Sequence, residues 1–129
     1  MTQHRSIPAP LISAENQPYF DAAAQGRLLV KRCTACAEFH FYPRTLCPFC
    51  FGATEWVDAA GTGTIYSYTV MRPGGPFAAA YVTLDEGVTL LTNIVDCDPE
   101  AVRIGQTVRV VFRPTDEHGV VVPMFTPCA

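Results

Sequence analysis

Four cysteines within eighteen residues constrain this chain more than any other feature: Cys33-Thr-Ala-Cys36 and Cys47-Pro-Phe-Cys50, with ten residues between the pairs. A Cys-x-x-Cys pair on a tight turn aims two sulfurs at one point. Two such turns facing each other close a tetrahedral S4 site of the kind that holds structural zinc. Pro48 presets φ for the second turn, and Gly52 tolerates positive φ just after it. The residues between the pairs, rich in Phe39, Phe41, Tyr42 and Leu46, suit a short hairpin that brings the turns together. The expected ligands of a structural Zn2+ are therefore Cys33, Cys36, Cys47 and Cys50. Iron is the alternative metal, because S4 tetrahedra accept both, and a colourless preparation separates them.

Two other uses of paired cysteines fit less well. The first residues, MTQHRSIPAPLIS, contain no apolar core of a secretory signal, so a reducing, cytoplasmic compartment is expected and metal is favoured over cystine. A redox-active Cys-x-x-Cys normally stands alone beside a βαβ pattern, and no such pattern occurs here. His40 lies between the pairs, but four sulfurs already complete the shell, so it reads as surface or packing.

At 129 residues, 49% apolar and only 16% charged, the chain can bury one modest core and presents a sparsely charged surface. No apolar run reaches the length of a membrane-spanning helix. The net charge is −3, with eight arginines and the single lysine Lys31. That balance argues against nucleic acid and for protein partners.

Residues 1–14 carry Pro8 and Pro10 and read as a flexible arm. Residues 15–53 combine a short helix with the ribbon: Asn16 as cap, Pro18 in the first turn, Tyr19, Phe20, Ala23 and Ala24 as the apolar face, and Gly26 as the stop. Arg27 to Arg32 reads as a strand feeding the first cysteine pair. This helix either docks on a partner or packs on its own domain. From residue 54 to 129 the composition turns β-branched and aromatic. Thr64–Met71 alternates, with Tyr66, Tyr68 and Val70 on one face, and Arg72 to Phe77 forms a loop. Tyr81–Leu84 and Val88–Val95 flank an Asp85-Glu86-Gly87 turn. Asp98-Pro99-Glu100 reads as a capped helical turn that stops at Gly105. Thr107–Arg113 and Val120–Phe125 are the last strands. Five strands with one helical element between the third and fourth suggest an OB-type barrel. The fold class is mostly β: a short N-terminal helix and a rubredoxin-like zinc ribbon, then a five-stranded OB-fold barrel.

The segments PYFDAAAQGRLLVKRCTAC, YPRTLCPFC, GTGTIYSYTV, DEGVTLLTNIV and VRIGQTVRVVFR carry a resemblance to the zinc-ribbon/OB-fold family of acyl-CoA-associated proteins, from about Pro18 to Phe125. Family members are small partner subunits of thiolase-like enzymes, or are fused or bound to hot-dog-fold acyl-CoA hydratases. The resemblance implies a similar accessory role here. One departure is Phe51, which stands directly after the last cysteine where the family often has glycine.

The chain itself shows little catalytic equipment. Its histidines are His4, His40 and His118, its serines Ser6, Ser13 and Ser67, and no G-x-S-x-G elbow occurs. Cys97 and Cys128 lie outside the metal set. The leading expectation is a non-catalytic subunit of an acyl-CoA enzyme that makes or breaks a carbon–carbon bond, docked on a thiolase-like or hydratase partner. A self-contained acyl-CoA-binding protein is another reading: Arg72 with Arg109 or Arg113 would pair with CoA phosphates, and Tyr68 or Phe77 would stack on adenine. The third is a single-stranded nucleic-acid module using Tyr66, Tyr68, Arg109 and Arg113, opposed by the acidic balance.

Overall fold

The computed structural model of the protein describes residues 7–41, 43–73, 76–117 and 120–128. His4, Ser6, Tyr42 and His118 lie outside the described residues. Helix α1 runs from Gln17 to Ala24. Asn16 occupies the N-cap position, but its amide does not cap. It accepts from the Ser13 N–H at 2.7 Å and donates to the Leu11 carbonyl at 3.2 Å, so it pins the arm to the helix start. At the other end the Gly26 N–H meets the Ala23 carbonyl at 3.0 Å and the Arg27 N–H meets that of Ala22 at 2.9 Å. These two bonds form the Schellman closure that the glycine predicts.

The ribbon is a three-stranded antiparallel sheet of order β2-β1-β3, built from β1 (Leu29–Cys33), β2 (Phe39–His40) and β3 (Thr54–Asp58). The whole of β3 pairs with β1, from Leu29↔Asp58 to Cys33↔Thr54. The hydrogen-bonded ribbon therefore extends to Asp58, past the boundary drawn at residue 53. Sequence alone could not assign this strand, because its partner lies more than twenty residues away.

Five strands close the barrel in the order β4-β5-β6-β8-β7: β4 (Thr62–Met71), β5 (Phe77–Leu84), β6 (Thr89–Ile94), β7 (Thr107–Pro114) and β8 (Val121–Pro127). The expected helical element is a single 3-10 turn at Pro99–Ala101, capped by Asp98, whose Oδ1 accepts from the Glu100 N–H at 3.0 Å. β5 begins at Phe77, so the loop expected to include that residue is shorter. Closure brings β4 against β7 at Gly63↔Val108. A Cβ on Gly63 would sit 2.6 Å from the Thr83 carbonyl, so only glycine fits this crossing.

One expectation about β4 fails. A β-bulge between Ile65 and Ser67 inserts Tyr66 as an extra residue and resets the alternation. Ile65 faces the core, Tyr66 is 69% exposed, and Tyr68 and Val70 return to the inner side. Tyr66, Tyr68 and Val70 therefore do not share a face.

One buried core runs through both sheets. Tyr19 and Phe20 of α1, with Leu28 and Val30 of the ribbon, join Ile65, Val82, Leu84, Leu90, Val108 and Phe125 of the barrel. The Tyr19 ring also lies 5.6 Å from that of Phe41 in the ribbon. Burying each aromatic contributes about 1.5–3 kcal/mol, which is what holds so short a helix in place. The apolar face of α1 is thus used within the chain and is not free to dock a partner.

Candidate metal centre and ligand positions

Two turns of the same shape build the cysteine cluster. In the first, the Ala37 N–H reaches the Cys33 carbonyl at 3.1 Å; in the second, the Phe51 N–H reaches the Cys47 carbonyl at 2.9 Å. Each turn then closes from the other side, Cys33 N–H to the Glu38 carbonyl and Cys47 N–H to that of Gly52, both at 2.9 Å. The residue after each second cysteine is left-handed: Ala37 at φ 64° and Phe51 at φ 63°. The knuckles face each other, linked by the Thr34 N–H to the Ala53 carbonyl at 2.9 Å.

All four Sγ atoms lie within 4.8 Å of one another. Cys33 and Cys50 are 3.5 Å apart and Cys36 and Cys47 3.7 Å, too far for a disulfide, and all six cysteines are free. A tetrahedron of thiolates about 2.3 Å from a zinc ion has edges of about 3.8 Å, so the donor set fits the metal. Backbone donors surround the sulfurs. The N–H groups of Cys36 and Ala35 both reach Cys33 Sγ at 3.3 Å and hold its thiol down to about 6. The Phe49 N–H reaches Cys47 Sγ at 3.4 Å. These bonds stabilise thiolate, the form that binds metal. The positive φ expected at Gly52 falls instead on Phe51. A Cβ on Gly52 would lie 3.0 Å from Ala35 Cβ, 3.2 Å from Cys33 Sγ and 3.3 Å from Cys50 Sγ, a tight fit that favours glycine beside the sulfurs.

The polar residues around the ribbon carry more structure than the sequence suggested. Lys31 is buried, with Nζ 3.1 Å from Thr54 Oγ1 and 4.4 Å from the Trp56 ring centroid. His40 sits opposite Lys31 in the sheet and is only 5% exposed. Burial, then the Lys31 charge, pushes its imidazole down from the usual histidine range. His40 is thus a packed residue. Glu15, which no motif marked, accepts from the Thr45 N–H at 2.8 Å just before the second knuckle.

The five residues considered for acyl-CoA contact do not form one cluster, although Arg72 and Arg113 both reach the short segment after β6, at Glu100 and Asp96. Tyr68 is half-buried and packs on the core. Arg72, just past the end of β4, pairs with Glu100, and Phe77 opens β5 opposite Met71. Arg109 is exposed and stands across from Thr62, at the start of β4. Ten residues of strand separate it from Arg72, roughly 30 Å. Arg113 lies further along β7 and is engaged by Asp96.

With this geometry in place, comparison with known proteins is decisive. The rubredoxin-like zinc-ribbon domain of ChsH2 matches residues 20–57, and the C-terminal OB-fold domain of ChsH2 matches residues 56–113. A "DUF35 domain-containing scaffold protein" of Methanothermobacter thermautotrophicus is 36% identical over 97 residues, 73% of its length. The chain belongs to the DUF35 family. A DUF35 chain in a solved structure titled "Ltp2-ChsH2(DUF35) aldolase" superposes with a TM-score of 0.80 at 37% identity, covering 92% of this chain and 98% of that one. A "Probable enoyl-CoA hydratase alpha subunit" of Thermomonospora curvata is 38% identical over 128 residues. This DUF35 chain spans only 40% of that hydratase subunit's length. Among the described residues no helix is long and apolar enough to cross a membrane.

Proposed function

We propose that this protein is a non-catalytic accessory subunit of an acyl-CoA enzyme complex with thiolase-like or retro-aldolase carbon–carbon chemistry. It holds a structural Zn2+ on Cys33, Cys36, Cys47 and Cys50, stabilises its partner and helps to form the acyl-CoA site. The observation that carries this reading is the 37% identity, over 98% of its length, to a DUF35 chain in an aldolase structure. The relatives named scaffold proteins point the same way.

Bound zinc would neutralise thiolate charge and cross-link the two knuckles, with no open position for substrate. The rest of the role is positioning. α1 joins ribbon to barrel through one core, so the metal-held end and the barrel move as one body. Any contact of this chain with CoA would draw on Arg72, Phe77 and Arg113 rather than Arg109. Arg72 pairs with Glu100 and Arg113 with Asp96 on the short segment after β6. The end of β6 lies beside the start of β5, whereas Arg109 stands at the far end of β4. The residues do not favour single-stranded nucleic acid: Tyr68 faces inward, and Arg113 is neutralised by Asp96.

The test is recovery of the protein from its native host at moderate salt, with bound chains identified and zinc assayed. A thiolase-like or hydratase chain in near-equal amount, with one zinc per copy, supports the proposal. A stable monomer that retains no such enzyme sinks it.

A further inference from the structure

The outer face of β4, β5 and β6 carries no charged side chain. The register makes the outward positions readable. Tyr81 of β5 stands beside Leu91 of β6, and the bulged Tyr66 of β4 lies next to the Ser67↔Tyr81 pair. Ile104 continues the same surface, because the next residue, Gly105, donates its N–H to the Ile65 carbonyl at 2.8 Å. Tyr66, Tyr81, Leu91 and Ile104 are 69%, 49%, 59% and 68% exposed. The other outward residues of these strands are Thr, Ser, Ala, Asn, Met and Phe.

Four large side chains on adjacent elements expose apolar surface on the order of 400 Å2, the range in which patches on single chains mark binding sites. A stable complex buries about 800 Å2 on each side, so this patch would form the apolar centre of such a contact, with the surrounding Thr and Ser as its rim. The bulge shapes the face, since it sets Tyr66 and Ser67 in succession beside the outward Tyr81 and returns Tyr68 to the inner side. Because the barrel is closed, the face is convex. Two convex copies would touch over a narrow strip, whereas a flat or concave surface on another chain can cover it.

We infer that the Tyr66–Tyr81–Leu91–Ile104 face is the surface by which this chain docks on an uncharged, apolar surface of its acyl-CoA enzyme subunit. The inference rests on the accessory-subunit reading above. A second apolar cluster, Leu46, Phe49 and Phe51 on the second knuckle, serves as the internal control.

The experiment uses the full chain and the purified enzyme subunit identified in the native recovery, with Kd measured by titration. Ile104→Glu lies outside the strands and leaves their pairing intact; Leu91→Glu tests the centre of the face. Each is checked for zinc content and thermal unfolding. The expected result is binding weakened by roughly tenfold or more for each, with Phe51→Ser near wild type. Folded Ile104→Glu and Leu91→Glu variants that bind like wild type overturn the inference, as does loss of binding in Phe51→Ser alone. A wild-type chain that forms dimers dispersed by Ile104→Glu also overturns it, assigning the face to a second copy. If wild type binds no acyl-CoA enzyme at all, the accessory-subunit reading itself has failed.

Discussion

The carboxylate of Glu15, just ahead of α1, holds the backbone of Thr45, just ahead of the second knuckle. Oε2 accepts from the Thr45 N–H at 2.8 Å and from its hydroxyl at 3.2 Å, while Oε1 faces Arg44 at 3.4 Å. Thirty residues of chain are closed by this contact, which ties the helix entry to the metal loop. The Thr45 N–H, foremost, keeps the carboxyl below its usual range. A depressed carboxylate contributes stability that is fully present above the unfolded value near 4.5 and lost as pH falls through the folded one. Glu15→Gln should therefore lower Tm at neutral pH and lessen its fall below pH 4.5, measured by thermal unfolding across that range. A variant with wild-type Tm at pH 7 would show that the contact carries no stability.

Loss of one thiolate should unfold more than the ribbon. Cys36→Ser or Cys47→Ser removes a ligand, and zinc binding in such modules is worth on the order of 10 kcal/mol of folding free energy. Because Leu28 and Val30 share a core with the barrel, its thermal transition should fall together with that of the ribbon. Zinc content and near-UV circular dichroism read both. Stoichiometric zinc with native stability in Cys36→Ser would rule this out.

Phe51 holds a left-handed conformation at φ 63° while 76% exposed, so its side chain buys no packing for the fold. A non-glycine residue there costs about 1–2 kcal/mol. Phe51→Gly should raise stability by about 1 kcal/mol in chemical denaturation, with zinc retained. A destabilised Phe51→Gly would mean that the ring has a partner within the chain.

His40 sits neutral beside Lys31, and burial pushes its imidazole down. Above the unfolded value of 6.5 both states are neutral and pH has no leverage. As pH falls below 6.5 toward the folded value, the unfolded chain takes up the proton first and stability declines. His40→Phe should flatten that decline between pH 7.5 and 5.5, in samples shown to keep their zinc. An unchanged slope would assign the acid sensitivity elsewhere.

What was readable in the chain was what neighbouring residues impose on one another. Cys-x-x-Cys spacing set the two knuckles, Asp98-Pro99 set the capped turn, and Asp85-Glu86-Gly87 set the hairpin, because each depends on φ preferences and hydrogen bonds within a few residues. Alternation located five barrel strands for the same reason. Tertiary structure decided the rest. The bulge at Tyr66 breaks the alternation of β4, and pairing with β5 reveals it. β3 belongs to the ribbon because β1 offers it an edge. The apolar face of α1 is spent on the shared core, and arginines that look equivalent in sequence stand at opposite ends of a ten-residue strand. Local preference chooses the elements, but only closure of the barrel fixes which side of each strand meets solvent, and so where a partner can bind.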